Sequence, residues 1–188
     1  MKTAIKKIKS KQGFSLSELL IALVIVSIMT IALTAGISAS LRVYQESVRH
    51  AEERTLLSTL SEAIINELRN DAVMVDNSGM IQAITSQNFG NCNEIRLLRE
   101  NEKKSKKEDG KVFVVTKTGD SIKSTPLIGS GAYSNHVLKV QNIEINYNEK
   151  QKSYDVVIEL EPYNGASESR EFSVKPKSES YVTVIQTE

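Results

Sequence analysis

The segment that most limits what this chain can become is a run of 23 residues, Leu19 to Leu41, without a single charge. The string LLIALVIVSIMTIALTAGISASL exceeds the roughly 18–20 apolar residues that a helix needs to cross the hydrocarbon of a bilayer. As a helix it would extend about 34 Å. The residues before it are of the opposite character. MKTAIKKIKSKQG carries five Lys and no acid, and the positive-inside rule keeps such a leader in the cytoplasm and sends the C-terminal portion outward.

Whole-chain averages hide this arrangement. The 188 residues hold 24 basic and 23 acidic side chains, a formal charge of +1. Without the first thirteen residues the balance is 19 basic against 23 acidic, or −4. A near-neutral total argues against a dedicated nucleic-acid binder. One Cys excludes a disulfide framework and a Cys-based zinc site, and 40% hydrophobic residues is too much for wholesale disorder.

Three ordinary readings of the apolar run compete. A secretory signal has an apolar core of only about 7–15 residues, although Ser38-Ala39-Ser40 would pass as a cleavage site. A lipoprotein signal needs a Cys just after the run, and Cys92 is far away. A plain single-pass anchor explains the hydrophobicity but not Glu18, which stands at its front. A carboxylate at the centre of a membrane helix costs about 2.5–3.5 kcal/mol, less near the interface. An ionisable residue there is a functional hypothesis with a partner to be named.

The string KQGFSLSELLIALVIVSIM resembles the type IV prepilin signal: a short basic leader, Gly13, Phe14, a few small or apolar residues, Glu18 and an uncharged helix. The likeness covers about the first 40 residues. It implies that a membrane aspartic peptidase, the prepilin peptidase, cuts after Gly13 and methylates the new N-terminus at Phe14. A residue without Cβ suits close entry into an active site, and methylation keeps the amine's charge. The resemblance further implies that Glu18, once desolvated among packed helices, pairs with the N-terminal amine of a neighbouring subunit. Such a pair adds little net stability but penalises wrong axial registers.

From this resemblance follow a set of expectations. The fold is α+β: a long N-terminal helix packed on a C-terminal antiparallel β-sheet. Residues 1–13 are a cleaved leader, 14–41 a transmembrane and assembly helix, 42–72 its amphipathic half, and 73–188 a β-rich globular domain. The chain is a structural subunit rather than an enzyme, with no cofactor and no metal. Its partners are prepilin peptidase, other pilin or pseudopilin subunits, an assembly platform with its ATPase, and membrane lipid before assembly. It starts single-pass in the cytoplasmic membrane, N-terminus inside, and moves to an extracytoplasmic filament. The apolar helix lacks the proline of many major pilins, with Gly36 its one soft point, and there is no second Cys for a C-terminal disulfide. Both absences favour a minor pilin or pseudopilin acting at the tip or in initiation. Pili, type II secretion and DNA uptake share this signal. The alternative is an uncleaved, membrane-tethered sensor or binding domain.

Beyond Leu41 apolar positions recur at Tyr44, Val48, Ala51, Leu57, Leu60, Ile64 and Leu68, with no Gly or Pro before Gly79. This predicts one helix from Phe14 to about Asn70, its second half amphipathic. After Gly79 the pattern turns to strands. Residues 94–99 and 111–116 flank a charged connection ending in Asp109-Gly110, a hairpin signal. Tyr154, Val156, Ile158 and Leu160 alternate as in a half-buried strand. The phase shift at Gln141-Asn142 within 137–147 predicts a β-bulge. Residues 171–174 and 181–186 are further strands.

Little else carries chemistry. His50 reads as a solvated helix residue among Arg49, Glu52 and Glu53, with no second ligand at metal spacing, and His136 as a loop residue. Lys103, Lys104, Lys106 and Lys107 form the one basic cluster. Glu100, Glu102, Glu108 and Asp109 surround them, so residues 99–111 hold six basic and four acidic side chains. A solvated hairpin tip is the simpler reading, and DNA binding the less favoured one. Cys92 is a lone thiol, equally open to burial and exposure.

Overall fold

The computed structural model of the protein describes residues 15–119, 121–162 and 167–185. Helix α1 runs unbroken over Leu16–Asn70, close to the expected bounds. Gly36 sits inside it, with open space where a Cβ would project. Two compact units divide between Val48 and Arg49.

In the first unit every described residue, Ser15 to Val48, is exposed. Four of the five hydroxyls of the apolar run are nevertheless satisfied. Ser27, Thr30, Thr34 and Ser38 each donate to the carbonyl four residues earlier, at 2.7 to 2.9 Å. Back-bonding of this kind removes free donors from a helix surface that offers nothing else polar.

In the second unit, helix residues from Glu53 onward carry a buried face: Glu53, Leu56, Leu57, Leu60, Ser61, Ile64, Glu67 and Leu68. The expected stripe is correct from Leu57 on, but Tyr44, Val48 and Ala51 are exposed. The packed face instead begins with Glu53 and Leu56, which lie in the gap of the predicted spacing. The helix ends where the backbone of Lys177 donates to the Arg69 carbonyl at 2.9 Å, supplying one of the partners that the last helical carbonyls lack.

Among the described residues, ten strands follow in three sheets. The first combines β1 (Ala72–Asp76), β2 (Ile81–Ser86), β3 (Gly90–Cys92) and β10 (Val182–Ile185), in the order β10-β1-β2-β3. The second is β4 (Glu94–Leu97), β5 (Val112–Thr118) and β6 (Ser121–Pro126). The third is β7 (Val140–Asn148), β8 (Ser153–Leu160) and β9 (Ser169–Val174). All pairings are antiparallel except β1 with β10, which is parallel, Val73 opposite Val182. The α+β layout therefore stands, with three sheets in place of one.

Several local expectations hold. Strands β4 and β5 form the 94–97/112–118 hairpin. The register of β7 against β8 shifts between Val140 and Asn142, which is the predicted bulge. Along β8 the residues Tyr154, Val156, Ile158 and Leu160 are buried, and the intervening Asp155, Val157 and Glu159 are not. Gln186, the end of the last predicted strand, lies outside the described residues.

One core holds this unit together. Leu56, Leu60, Ile64 and Leu68 of α1 join Val73, Val75 and Ile84, Val112 and Val114, Tyr133, and the four inward residues of β8. Strand β5 is covered on both faces, because Phe113 and Val115 form a second small cluster with Leu98. Glycine is required at two junctions. At Gly79 (φ +83°) a Cβ would collide with the Tyr147 carbonyl oxygen. Gly110 (φ +68°) has the Lys139 side chain where its own Cβ would be, and its carbonyl accepts from the Val140 amide at 2.8 Å.

Candidate functional site: the helix N-terminus and its apolar surface

The sequence Ser15-Leu16-Ser17-Glu18 has the S-x-x-E pattern of a helix start. Ser15 is the last non-helical residue, and its carbonyl accepts the first intrahelical bond, from the Leu19 amide at 3.1 Å. The Glu18 carboxylate reaches back and accepts from the Ser15 amide at 3.0 Å. The Ser15 and Ser17 hydroxyls lie 2.8 Å apart. Glu18 thus occupies the first helical turn, where the aligned peptide dipoles favour a negative charge. Its side chain is held by its own backbone and remains exposed. Gly13 and Phe14, the two expected processing residues, lie outside the described residues.

Behind Glu18, large apolar side chains project on all sides. Leu19, Leu20, Ile21, Leu23, Ile28, Met29, Ile31 and Leu33 are each about 60% exposed or more. A helix that is apolar all round needs an apolar medium or other helices to cover it. Helix α1 includes a stretch long and apolar enough to cross a membrane. Chemically, this end of the molecule offers one anchored carboxylate and a sleeve of uncovered hydrocarbon.

The remaining candidates of the sequence fall elsewhere. His136 closes a 3-10 helix, Ser130–His136, in place of a loop. Cys92 is buried, its thiol donates to the Ile84 carbonyl at 3.2 Å, and burial pushes its pKa up to about 11. That keeps it protonated and unreactive at neutral pH.

The basic cluster is ordered as two 3-10 turns, Glu100–Glu102 and Lys106–Glu108. Two of its four acids, Glu102 and Asp109, are paired in place. Arg96 grips Glu102 with two bonds of 2.7 and 2.9 Å and also meets Glu94. Asp109 accepts from both Lys103 and Lys139. Those donors hold the carboxyls of Glu102 and Asp109 down to about 2. Grooves of about 440 and 550 Å³ border this connection, but Asp109 in their walls is already shared by Lys103 and Lys139.

Two polar groupings escaped the sequence reading. On the buried helix face Glu67 accepts from the Ser86 hydroxyl at 2.5 Å and from the Asn88 amide at 2.8 Å. The neighbouring Asp71 is also buried. Desolvation, then its hydrogen bond with Glu67, raises the Asp71 pKa to about 6. Further up the helix, His50 is not merely solvated: its Nδ1 lies 3.2 Å from Glu53 and 3.6 Å from Glu168. Glu67 is legible as an acid on the core-facing stripe, but Glu53 lies in the gap of the predicted spacing. Glu168 is not, because no local pattern ties it to residue 50.

The described helix and strands have a pilin-like layout, a long apolar helix followed by β-sheets on which its second half packs. Residues 8–34 match the prokaryotic N-terminal methylation motif. The chain carries the type IV prepilin signal. Neither the curated proteins nor the solved structures compared with the chain contain a match. Signal and helix together support anchoring in a membrane, processing by prepilin peptidase and a structural role alongside other pilins.

Proposed function

We propose that this chain is a minor pilin or pseudopilin of a type IV pilus-like filament, cut after Gly13 and N-methylated at Phe14. One observation carries the reading. A Gly-Phe-x-x-x-Glu string stands directly before an uncharged helix that buries nothing within its own unit. Residues 1–13 are then a discarded leader that sets orientation, and 14–41 hold the subunit in the cytoplasmic membrane until assembly. Residues 42–72 continue the helix toward the β-rich portion, 73–188, on the outer side. The described contacts of Glu18 suit this role. Its carboxylate rests on the Ser15 amide in the single chain and can exchange that donor for the methylated amine of a neighbour. The absence of a helix proline and of a second Cys supports a low-abundance subunit that starts the filament or sits at its tip.

Processing is tested by the intact mass and N-terminal sequence of the chain recovered from membranes. A mature form beginning at methylated Phe14 is expected. Recovery of only the Met1 form would replace this reading with an uncleaved, tethered sensor. Pairing is tested separately with Glu18→Ala, which should be inserted and cleaved like wild type. It should be recovered in sheared filaments at about a tenth of the wild-type level or less, because the neighbour's amine is left buried without a counter-charge. Equal incorporation would remove Glu18 from the assembly mechanism.

A further inference from the structure

We propose that His50, Glu53 and Glu168 form a binding site for a divalent transition-metal cation, with zinc the best match. The donors come from two distant parts of the second unit. His50 and Glu53 are three residues apart on α1, so they share a face. Glu168 directly precedes β9, and its carbonyl accepts from the Leu160 amide at 3.0 Å. Both backbones are thus fixed independently of the site.

The spacing of the donor atoms is what points to an ion. Nδ1 of His50 lies 3.2 Å from Oε2 of Glu53 and 3.6 Å from Oε1 of Glu168. All three donor atoms fall within 4.8 Å of one another. A tetrahedral zinc with nitrogen and oxygen ligands at about 2.0–2.2 Å places them about 3.3–3.5 Å apart. The 3.6 Å separation is too long for a hydrogen bond and close to the spacing of two ligands on one ion.

The surroundings fit the same reading. Glu53 is only 5% exposed, and Arg49 Nε donates to its Oε1 at 3.0 Å. That bond orients the carboxylate and leaves Oε2 turned to the imidazole, as hydrogen bonds to ligating carboxylates do in metal sites. With a neutral imidazole, the two carboxylates outweigh Arg49 by one negative charge. His50 is half exposed and Glu168 one-third exposed. Solvent can therefore deliver the ion and supply a water as fourth ligand. A bound ion would pin the entry of β9 to the helix, joining segments more than a hundred residues apart in the chain.

The competing arrangement is an imidazolium bridging two carboxylates, with no metal. The two are separated with the untagged full-length chain in detergent micelles, dialysed against micromolar zinc chloride at pH 7.5. Bound zinc is measured by mass spectrometry and stability by thermal melting. The site predicts about one zinc per chain and a melting temperature raised by about 5 °C. His50→Gln and Glu168→Gln should each lose roughly nine-tenths or more of the bound zinc, together with the melting shift. Without zinc, both variants should keep the wild-type circular dichroism spectrum. Glu168→Gln keeps the outcome readable if the helix variant fails to fold. The proposal is overturned if wild type holds no more zinc than Glu168→Gln. It is equally overturned if zinc leaves the wild-type melting temperature unchanged, which leaves the ion pair alone.

Discussion

The two halves of α1 solve opposite problems with the same backbone. From Leu19 to Leu41 there is no charge and no buried residue. From Glu53 to Leu68 one face is buried, and that face includes two carboxylates, Glu53 and Glu67. The first half has satisfied four of its five hydroxyls internally and leaves its hydrocarbon for something outside the chain. The second half has its partner in the same polypeptide and can therefore bury polar groups, since each has a fixed donor waiting. Polarity on a helix is thus no guide to exposure here. The apolar residues are outside and some of the acids are inside, because the two halves meet different surroundings.

That contrast can be broken most sharply with a pair of truncations. Leu60 is fully buried and Val26 is 61% exposed. Leu60→Ala should destabilise the β-rich unit by about 2–5 kcal/mol through lost contacts and the cavity left behind. Val26→Ala should change that stability by less than about 0.5 kcal/mol. Urea denaturation of the detergent-solubilised chain, followed by tyrosine fluorescence, reads both. Equal effects would mean that the first half is also packed within the chain.

The parts of the molecule that could be read from the sequence are those set by local periodicity. The uncharged run, the helix end near Asn70 and the alternation of β8 each repeat within a short window, so the residues declare their own environment. The bulge at Gln141-Asn142 was legible for the same reason, because one extra residue flips the apolar phase. Strand β1 was not, since Ala72-Val73-Met74-Val75 follows the helix with no glycine or proline to mark the change. Strand β6, Ser121–Pro126, is a mostly exposed strand at the sheet edge and has no apolar alternation to detect. The parallel pairing of β10 with β1 joins residues more than a hundred positions apart, and a four-residue strand carries no signal of its direction. Glu168 beside His50 fails for that reason too.

The buried acids offer a second and smaller test of the contrast. Asp71 has its pKa raised from 3.8 to about 6, so the folded state prefers it protonated. The stabilising influence of that proton is complete below the unfolded pKa near 3.8 and is lost as pH rises through about 6. At pH 7.5 the carboxylate is charged, buried and next to Glu67. Asp71→Asn keeps an oxygen for the Gln87 amide, which donates to Asp71 at 3.2 Å, and removes the charge. The variant should be about 1–2 kcal/mol more stable than wild type at pH 7.5. The gain should disappear by about pH 4. Melting curves between those two pH values measure it. A variant less stable than wild type at pH 7.5 would show that the charged form is accommodated by its donors, and the buried half would then tolerate charge better than desolvation predicts.

The smallest effect is expected in the 98–111 connection, where the acids Glu102 and Asp109 are already paired. Glu102 is held by both terminal nitrogens of Arg96 and by the Arg99 amide at 3.0 Å, which is why its pKa falls to about 2. A carboxylate with a depressed folded pKa contributes stability that is present above its ordinary value near 4.5 and lost as pH falls through about 2. Glu102→Gln should therefore lower stability at pH 7.5 by about 1 kcal/mol or less, and the difference from wild type should close near pH 2. Because Glu102 finds its partner Arg96 in cis, the same variant should enter filaments as wild type does, unlike Glu18→Ala. Reduced incorporation with unchanged melting would assign this connection an external partner, and it would then belong with the first half of the helix as a surface completed by another molecule.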